Sequence, residues 1–290
     1  MLTVVVVTFN SARVIAACLG SIPAAARVIV IDNASRDDTV GIAGAVRPTA
    51  HIRRLPENCG FGTAANLGLA EAATPLALLL NADARLRPGA LEALAAAGER
   101  YQEAGLLAPS SWDPAGRLQF GRQPLFGAWC RGGEDAAAVP AGDCCAPYLA
   151  GSALCFRLQA FRAIGGFDER IFLYFEDDDI CLRLTKGGWS LVHVADAHID
   201  HLAGRSTDGV PRLEYWKHWH RRWSRLHMEE KHRGRSSALA LALAELPRLW
   251  LKAAAYRIIG HREKHGRYAA RCGGTWAYLS GRQARHVGLG

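Results

Sequence analysis

Apolar residues in the first hundred positions fall into two alternating arrangements: short unbroken β-branched runs, and longer stretches with apolar residues three and four apart. Leu2–Thr8 is of the first kind and predicts a buried strand. "NSARVIAACLGSI" is of the second kind and predicts a helix, with Val14, Ile15, Cys18 and Leu19 on one side and Asn10 or Ser11 as cap. The alternation continues with strands in "ARVIVIDNAS", "HIRRLP" and "PLALLLNADA". Helices separate and follow them in "RDDTVGIAGAV", "GTAANLGLAEAA" and "RPGALEALAAAGERY". This order predicts an α/β fold, a mainly parallel Rossmann-like sheet flanked by helices, with ligands beyond the carboxyl ends of the strands.

Between Gly105 and Tyr148 the pattern loosens. "GLLAPSSWDPAGRLQFGRQP" predicts a strand, a turn at Asp113–Gly116 and a second strand, in loops suited to reading a substrate. Order resumes with a strand at Ala153–Arg157, a helix, and a turn at Gly165–Gly166. "YFEDDDICLR" then reads as a helix start, and "GGWSLVHVADAHIDHLAG" as a strand, a turn and a second stretch holding His198 and His201. Beyond residue 204, "RLEYWKHWHRRWSRLHMEEKHRG" has helical spacing. "SSALALALAELPRLWLKAAAYRIIG" predicts an apolar helix interrupted at Pro247.

Charge divides the chain at the same place. Of a net +8, the residues from Arg205 onward hold 18 Lys/Arg against 6 Asp/Glu, and five of the eight Trp. An anionic partner for this tail is implied: a membrane surface, a phosphate-bearing substrate or nucleic acid. The eight Cys form no CxxC pair, which favours reduced thiols over zinc or a disulfide framework. "MLTVVVVTF" lacks the features of a signal peptide, and no apolar run reaches the length of a membrane span.

Polar residues cluster at the predicted strand ends: Thr8 and Asn10, Asp32 and Asn33, Asn58 with Gly60 and Phe61, and Asn81, Ala82 and Asp83. Asp32 suits a base edge or ribose hydroxyl, or else caps the next helix. Gly60 and Gly62 around Phe61 permit close backbone approach to a ligand, with Asn66 facing it one turn later. Asp83 suits a divalent cation neutralising a diphosphate, or a turn cap, and His201 suits a second ligand, a phosphate partner or a structural role. In Glu176, Asp177, Asp178 and Asp179, four adjacent carboxylates fit either a general base or helix capping, with Arg183 placed to pair with Asp179.

Taken together, "VVVVTFNSARVIAACLGSI", "VIVIDNASRDDT", "ENCGFGTAANLGLA", "LLLNADARLRPGAL", "GSALCFRLQAFRAIGGFDERIFLYFEDDDICLRLTKGGW" and "HLAGRST" resemble family 2 glycosyltransferases over residues 2–207. The nearest branch is the bacterial rhamnosyltransferase-like one. The resemblance implies a GT-A fold in residues 1–204, with a nucleotide-binding half (1–104), an acceptor-binding half (105–204) and a helical extension over 205–290. It implies a nucleotide-diphosphate sugar donor, Mg²⁺ or Mn²⁺, and inversion at the anomeric carbon. Carried across, Asp32 holds the nucleoside with Thr8 and Asn10. Asn33, Asn58, Gly60, Phe61, Asn66, Asn81, Ala82 and Gly151 complete the donor set, and Asp83 and His201 hold the metal. Asp177 is the base beside Glu176. Asn81 departs from the pattern, since many relatives have aspartate there, as does Asp178, where relatives often carry a small apolar residue.

For the tail, Trp and cations suit a membrane surface, the alternative being a helical cap on the catalytic domain or on a second subunit in a homodimer. The expected acceptor is a glycan or polyprenyl-diphosphate-linked sugar, handled in the cytoplasm at the inner face of the plasma membrane. Alternatives are a galactofuranosyl or other hexosyl transferase using a UDP-sugar, a nucleotidyltransferase, and a non-catalytic nucleotide- or nucleic-acid-binding protein. The nucleotidyltransferase lacks a basic Gly-rich loop near the N-terminus, and the nucleic-acid reading leaves the acidic sheet edge without a role, so no nucleic-acid partner is expected.

Overall fold

The computed structural model describes residues 2–118, 126, 140–202 and 212–284, in two compact units. The first takes in residues up to 168 and from 177 to 202; the second takes in 169–176 and 212–284.

The first unit is built on a sheet with strands β1 (Leu2–Thr8), β2 (Arg27–Asp32), β3 (His51–Arg54), β4 (Leu76–Asn81), β5 (Ala84–Leu86), β6 (Ala104–Trp112), β7 (Cys144–Cys145), β8 (Ala153–Arg157) and β9 (Ser190–His201). Their order is β3-β2-β1-β4-β8-β6-β9-β5, with β7 on β9. Its helices are α1 (Ile15–Gly20), α2 (Thr39–Val46), α3 (Phe61–Ala70), α4 (Ala90–Arg100), α5 (Leu158–Ala163) and α6 (Glu176–Lys186). Alternate residues of β1 supply two cores: Val4 and Val6 face α1 and α4, while Val5 and Val7 face α3, α5 and α6. Gly68 lets α3 lie close on the sheet, because a Cβ there would run into Val5 and Ile31.

Strands β3, β2, β1 and β4 are parallel, but β8 runs antiparallel to β4 and β6, and β5 and β7 run antiparallel to β9. The parallel pattern therefore belongs to the first half, and the sheet as a whole is mixed. The stretch expected as strand, turn and second stretch is one strand, β9, whose pairing with β6 jumps from Pro109↔Val194 to Ser110↔His198. The extra residues bulge, and the Ala195 N–H donates to Asp143 Oδ1 at 2.9 Å. After the turn at Asp113–Gly116, Leu118 bridges back to Trp112; the rest of the second strand expected there lies outside the described residues.

The second unit contains α7 (Leu213–Arg233), α8 (Arg235–Ile258) and α9 (Arg262–Leu279). Phe172, Trp219, Trp223, Ala270 and Ala277 form its core. Thus Trp219 and Trp223, read as interface residues from their helical spacing, are core residues here, and the exposed Trp are Trp250 and Trp276. Helix α8 runs through Pro247 without interruption, because Ala238, Ala242, Leu249 and Ala253 are buried on both sides of it.

Candidate active site

The carboxyl ends of β1, β2 and β3 converge on Asp32, which is fully buried. The Thr8 hydroxyl donates to Asp32 Oδ1 at 3.0 Å and the Ser35 N–H to Oδ2 at 3.1 Å. Arg54, at the end of β3, brings Nε within 3.7 Å of Oδ2 and donates from Nη2 to the Ser35 carbonyl at 2.8 Å. Arg54 and Ser35 were absent from the candidate set, although "HIRRLP" and "NASRDD" place both at this sheet edge. Asn10 takes a left-handed conformation (φ 51°), donates its N–H to Ser35 Oγ and accepts the Arg36 N–H.

Asn33 ties this edge to the next loop. Its Nδ2 donates to Asn58 Oδ1 at 2.9 Å, and its Oδ1 accepts the Cys59 N–H at 2.9 Å. Asn58 Oδ1 also accepts the Gly60 N–H at 3.1 Å. Gly60 itself (φ 89°, ψ 160°) occupies backbone space nearly restricted to glycine. Two expected ligand contacts have packing roles. Asn66 uses both ends of its amide on the Phe167 backbone, at 3.0 and 2.8 Å, and the Phe61 ring meets Phe167 edge to face.

At the end of β4 the Asn81 N–H donates to the Ser152 carbonyl, and the Ala82 methyl is buried in the core. Asp83 is 3% exposed. The β5–β9 pairing, Ala84 opposite His201, brings His201 Nε2 to 3.4 Å from Asp83 Oδ1. Among the described residues no group of three or more His, Cys, Asp or Glu could hold a metal ion. The Asp83–His201 pair fits a Mg²⁺ or Mn²⁺ ion that takes its remaining oxygens from a diphosphate and water, and does not fit a zinc cage.

The acidic run answers to helix geometry. Successive residues on α6 point about 100° apart, so the neighbours meet different surroundings. Asp179 pairs with Arg183, whose Nε and Nη2 both lie 2.7 Å from Oδ2, as its spacing predicted. Asp178 accepts the Phe126 N–H at 2.8 Å. Asp177 accepts the Gly151 N–H at Oδ2, 3.0 Å away. A Cβ on Gly151 would overlap the Asp177 carboxylate, so only glycine allows this approach. Burial first, and then Asp178, push the Asp177 carboxyl up to about 7 against the lowering effect of the Gly151 N–H. Burial thus outranks like-charge repulsion, and Arg183 serves Asp179. Just before α6, Tyr174 and Phe175 both have positive φ (66° and 71°), a conformation bulky residues rarely adopt.

A profile described as "Glycosyl transferase family 2" matches residues 3–137, and one described as "Glycosyl transferase family group 2" matches residues 76–228. The chain is 31% identical over 249 residues to the N-acetylglucosaminyl-diphospho-decaprenol L-rhamnosyltransferase of Mycobacterium tuberculosis, covering 73% of this chain and 79% of the relative. Among solved structures it resembles S. aureus TarS 1-349 in complex with UDP-GlcNAc, at TM-score 0.55 and 15% identity over 97% of this chain and 92% of that one. The mannosyltransferase PcManGT of Pyrobaculum calidifontis, in complex with GDP-Man and Mn2+, superposes at TM-score 0.57 and 15% identity, over 97% and 88%. At such identities the two structures speak for the fold alone.

Proposed function

The chain belongs to glycosyltransferase family 2 and has the GT-A fold, and from that premise we propose an inverting rhamnosyltransferase of bacterial cell-surface polysaccharide synthesis. It takes rhamnose from a nucleoside-diphosphate donor, deoxythymidine-diphosphate rhamnose before any UDP-sugar, and passes it to a polyprenyl-diphosphate-linked sugar. The observation that carries the mechanism is the Asp177 carboxylate, held by the Gly151 N–H and raised to about 7. A carboxylate with that pKa is well matched to accept a proton near neutral pH.

Asp32, braced by Thr8, Ser35 and Arg54, anchors the nucleoside. The N–H of Gly151 fixes Asp177 Oδ2, leaving Oδ1 to take the proton of the acceptor hydroxyl. As that proton moves to Asp177, the hydroxyl oxygen forms its bond to the anomeric carbon. The bond to the donor diphosphate breaks on the opposite face, which inverts the configuration. Asp83 and His201 are the residues that would hold Mg²⁺ or Mn²⁺, whose charge stabilises the departing diphosphate.

The second unit suits a peripheral position on the cytoplasmic membrane face. On α8, Leu243, Trp250, Leu251 and Ile258 are 61–84% exposed and lie along one side. Between Leu246 and Ile259 the helix carries Arg248, Lys252 and Arg257 and no carboxylate. Apolar side chains flanked by cations fit an anionic lipid surface, and among the described residues no helix is long and apolar enough to cross a membrane.

The test is incubation of the purified protein with deoxythymidine-diphosphate rhamnose and a polyprenyl-diphosphate N-acetylglucosamine, in Mg²⁺ and in EDTA, followed by the anomeric configuration of the product. An inverted, metal-dependent disaccharide is expected. Turnover with UDP-sugars alone would move the assignment to another hexosyltransferase, and retention would remove Asp177 from the role of base.

A further inference from the structure

Helices α7 and α9 touch at glycine. A Cβ on Gly273 would stand 3.2 Å from Trp219 Cδ1, and one on Gly274 would run into the Trp219 carbonyl oxygen. The contact is locked by Arg222, whose Nε donates to Thr275 Oγ1 at 2.8 Å. On α7, His218 and Arg221 flank Trp219 by one residue and by two. On α9, Arg267 and Arg271 lie one turn apart just ahead of the glycine pair. The close approach therefore gathers four cationic or ionisable side chains on one edge of the helix pair. Their mutual field is felt: burial first, then Arg271, Arg267 and Arg221, hold His218 below the usual imidazole range. Burial also lowers Arg271, with Arg267 and Arg221 adding to it.

Two of the three described carboxylates near this edge pair with residues outside the cluster. Glu214 pairs with Lys217 at 2.9 Å, and Glu245 with Arg222 and Arg225. Glu263 meets Arg267 at 3.1 Å through a side chain that is 77% exposed. Among the described residues neither Arg221 nor Arg271 makes an ion pair with a carboxylate. Arg221 lies 4.4 Å over the Tyr174 ring, and Arg271 is 5.8 Å from that of Tyr268. Tyr174 is three residues before Asp177, in the segment whose backbone is strained at positions 174 and 175.

Guanidinium groups gathered with a single, exposed carboxylate partner, Glu263 on Arg267, offer several forked N–H donors to one ligand, an arrangement that matches phosphoryl oxygens. We propose that Arg221, Arg267, Arg271 and His218 form a diphosphate-binding site that receives the diphosphate of the lipid-linked acceptor. The proposal rests on the acceptor reading above. It gives the basic tail a defined ligand, distinct from the exposed apolar side of α8.

The experiment is calorimetric titration of the full chain with inorganic pyrophosphate in EDTA, so that no metal-held diphosphate contributes. Wild type is compared with Arg221→Gln/Arg271→Gln and with Arg27→Gln/Arg162→Gln, which removes the same charge from the first unit. Wild type and the control are expected to bind pyrophosphate alike, and the cluster variant at least tenfold more weakly, with unchanged thermal unfolding. In transfer assays the cluster variant should raise KM for the acceptor at least tenfold and leave KM for the donor in place. If the double variant does not fold, the two single variants carry the same comparison. No pyrophosphate binding by wild type, or equal binding by all three proteins, overturns the site. A further arm uses phosphatidylcholine vesicles with and without phosphatidylglycerol. Loss of phosphatidylglycerol-dependent binding in the cluster variant, with pyrophosphate binding intact, would make the cluster a headgroup contact and refute the acceptor site. Deoxythymidine diphosphate binding with Mg²⁺ is measured alongside: its failure counts against the donor reading, and the pyrophosphate result stands apart from it.

Discussion

Replacing Asp177 with Asn is expected to stabilise the protein while removing its activity, and the sign of the stability change depends on pH. Asn keeps an oxygen for the Gly151 N–H and removes the charge. The Asp177 carboxyl is raised from 3.8 to about 7, so the folded state binds its proton more tightly than the unfolded state does. A group shifted in that direction costs nothing below the unfolded pKa. It costs progressively more as pH rises through the window from about 4 to about 7. Three units at about 1.4 kcal/mol each set a ceiling near ~4 kcal/mol. Because Asp177 is partly accessible, solvent screening brings the expected gain to about 2 kcal/mol at pH 8, or roughly 4–8 °C in Tm. The assay is thermal unfolding of wild type and variant at pH 5 and pH 8, beside transfer rates expected to fall by about 10²–10⁴. A Tm difference that does not grow between the two pH values would refute the claim that the folded protein pays for an ionised Asp177. Normal turnover by the variant would refute its role as base.

Wild-type transfer should rise with pH to a plateau above about 7, as Asp177 loses its proton, and a rate independent of pH between 5 and 8 would contradict that. Gly151→Ala should reduce turnover by at least ~10²-fold through displacement of the carboxylate, with nucleotide binding measured by calorimetry retained. Asp83→Asn is expected to weaken Mn²⁺-dependent binding of deoxythymidine diphosphate by about tenfold or more and to leave metal-free binding unchanged. Trp250→Ser/Leu251→Ser should lower sedimentation with phosphatidylglycerol vesicles and keep transfer to a detergent-solubilised acceptor; a change of oligomeric state in place of vesicle binding would make α8 a subunit interface. Gly68→Ala should cost about 1–3 kcal/mol by forcing α3 away from Val5 and Ile31, read from urea unfolding.

The first half of the fold was legible because its strands are unbroken apolar runs: β1, β2 and β4 have almost no exposed residue, and such runs have few other uses in a chain of this length. Periodicity could not resolve β9, where the Ala195–Ala197 bulge has the composition of a turn and is held in the strand by Asp143, about fifty residues away in sequence. Pro247 misled for a similar reason, since local chemistry marks a break and packing on both sides of it decides. The tail Trp residues misled in the opposite direction. Helical spacing identifies a face but not what covers it, and Trp219 and Trp223 are covered by α9 and by the segment around Phe172. In the site, residue types were readable and their partners were not. Nothing local in Asn66 announces that both ends of its amide serve Phe167, a hundred residues on.

The four carboxylates at the start of α6 show why adjacency in sequence says little about shared function on a helix. Helical rotation sends Asp179 to Arg183, Asp178 to the Phe126 N–H and Asp177 to the Gly151 N–H. These are three different surroundings for adjacent residues, and at Asp177 burial raises the carboxyl toward neutrality. Asp178 adds to that rise from the next position, so the residue that departs from the family pattern would tune Asp177 in the proposed role of base. Its removal therefore offers a separate control on the mechanism. With Asp178→Asn, burial remains to raise the Asp177 carboxyl against the Gly151 N–H, and the plateau of the pH–rate profile should move to lower pH. A profile unmoved by that change would leave burial as the whole cause.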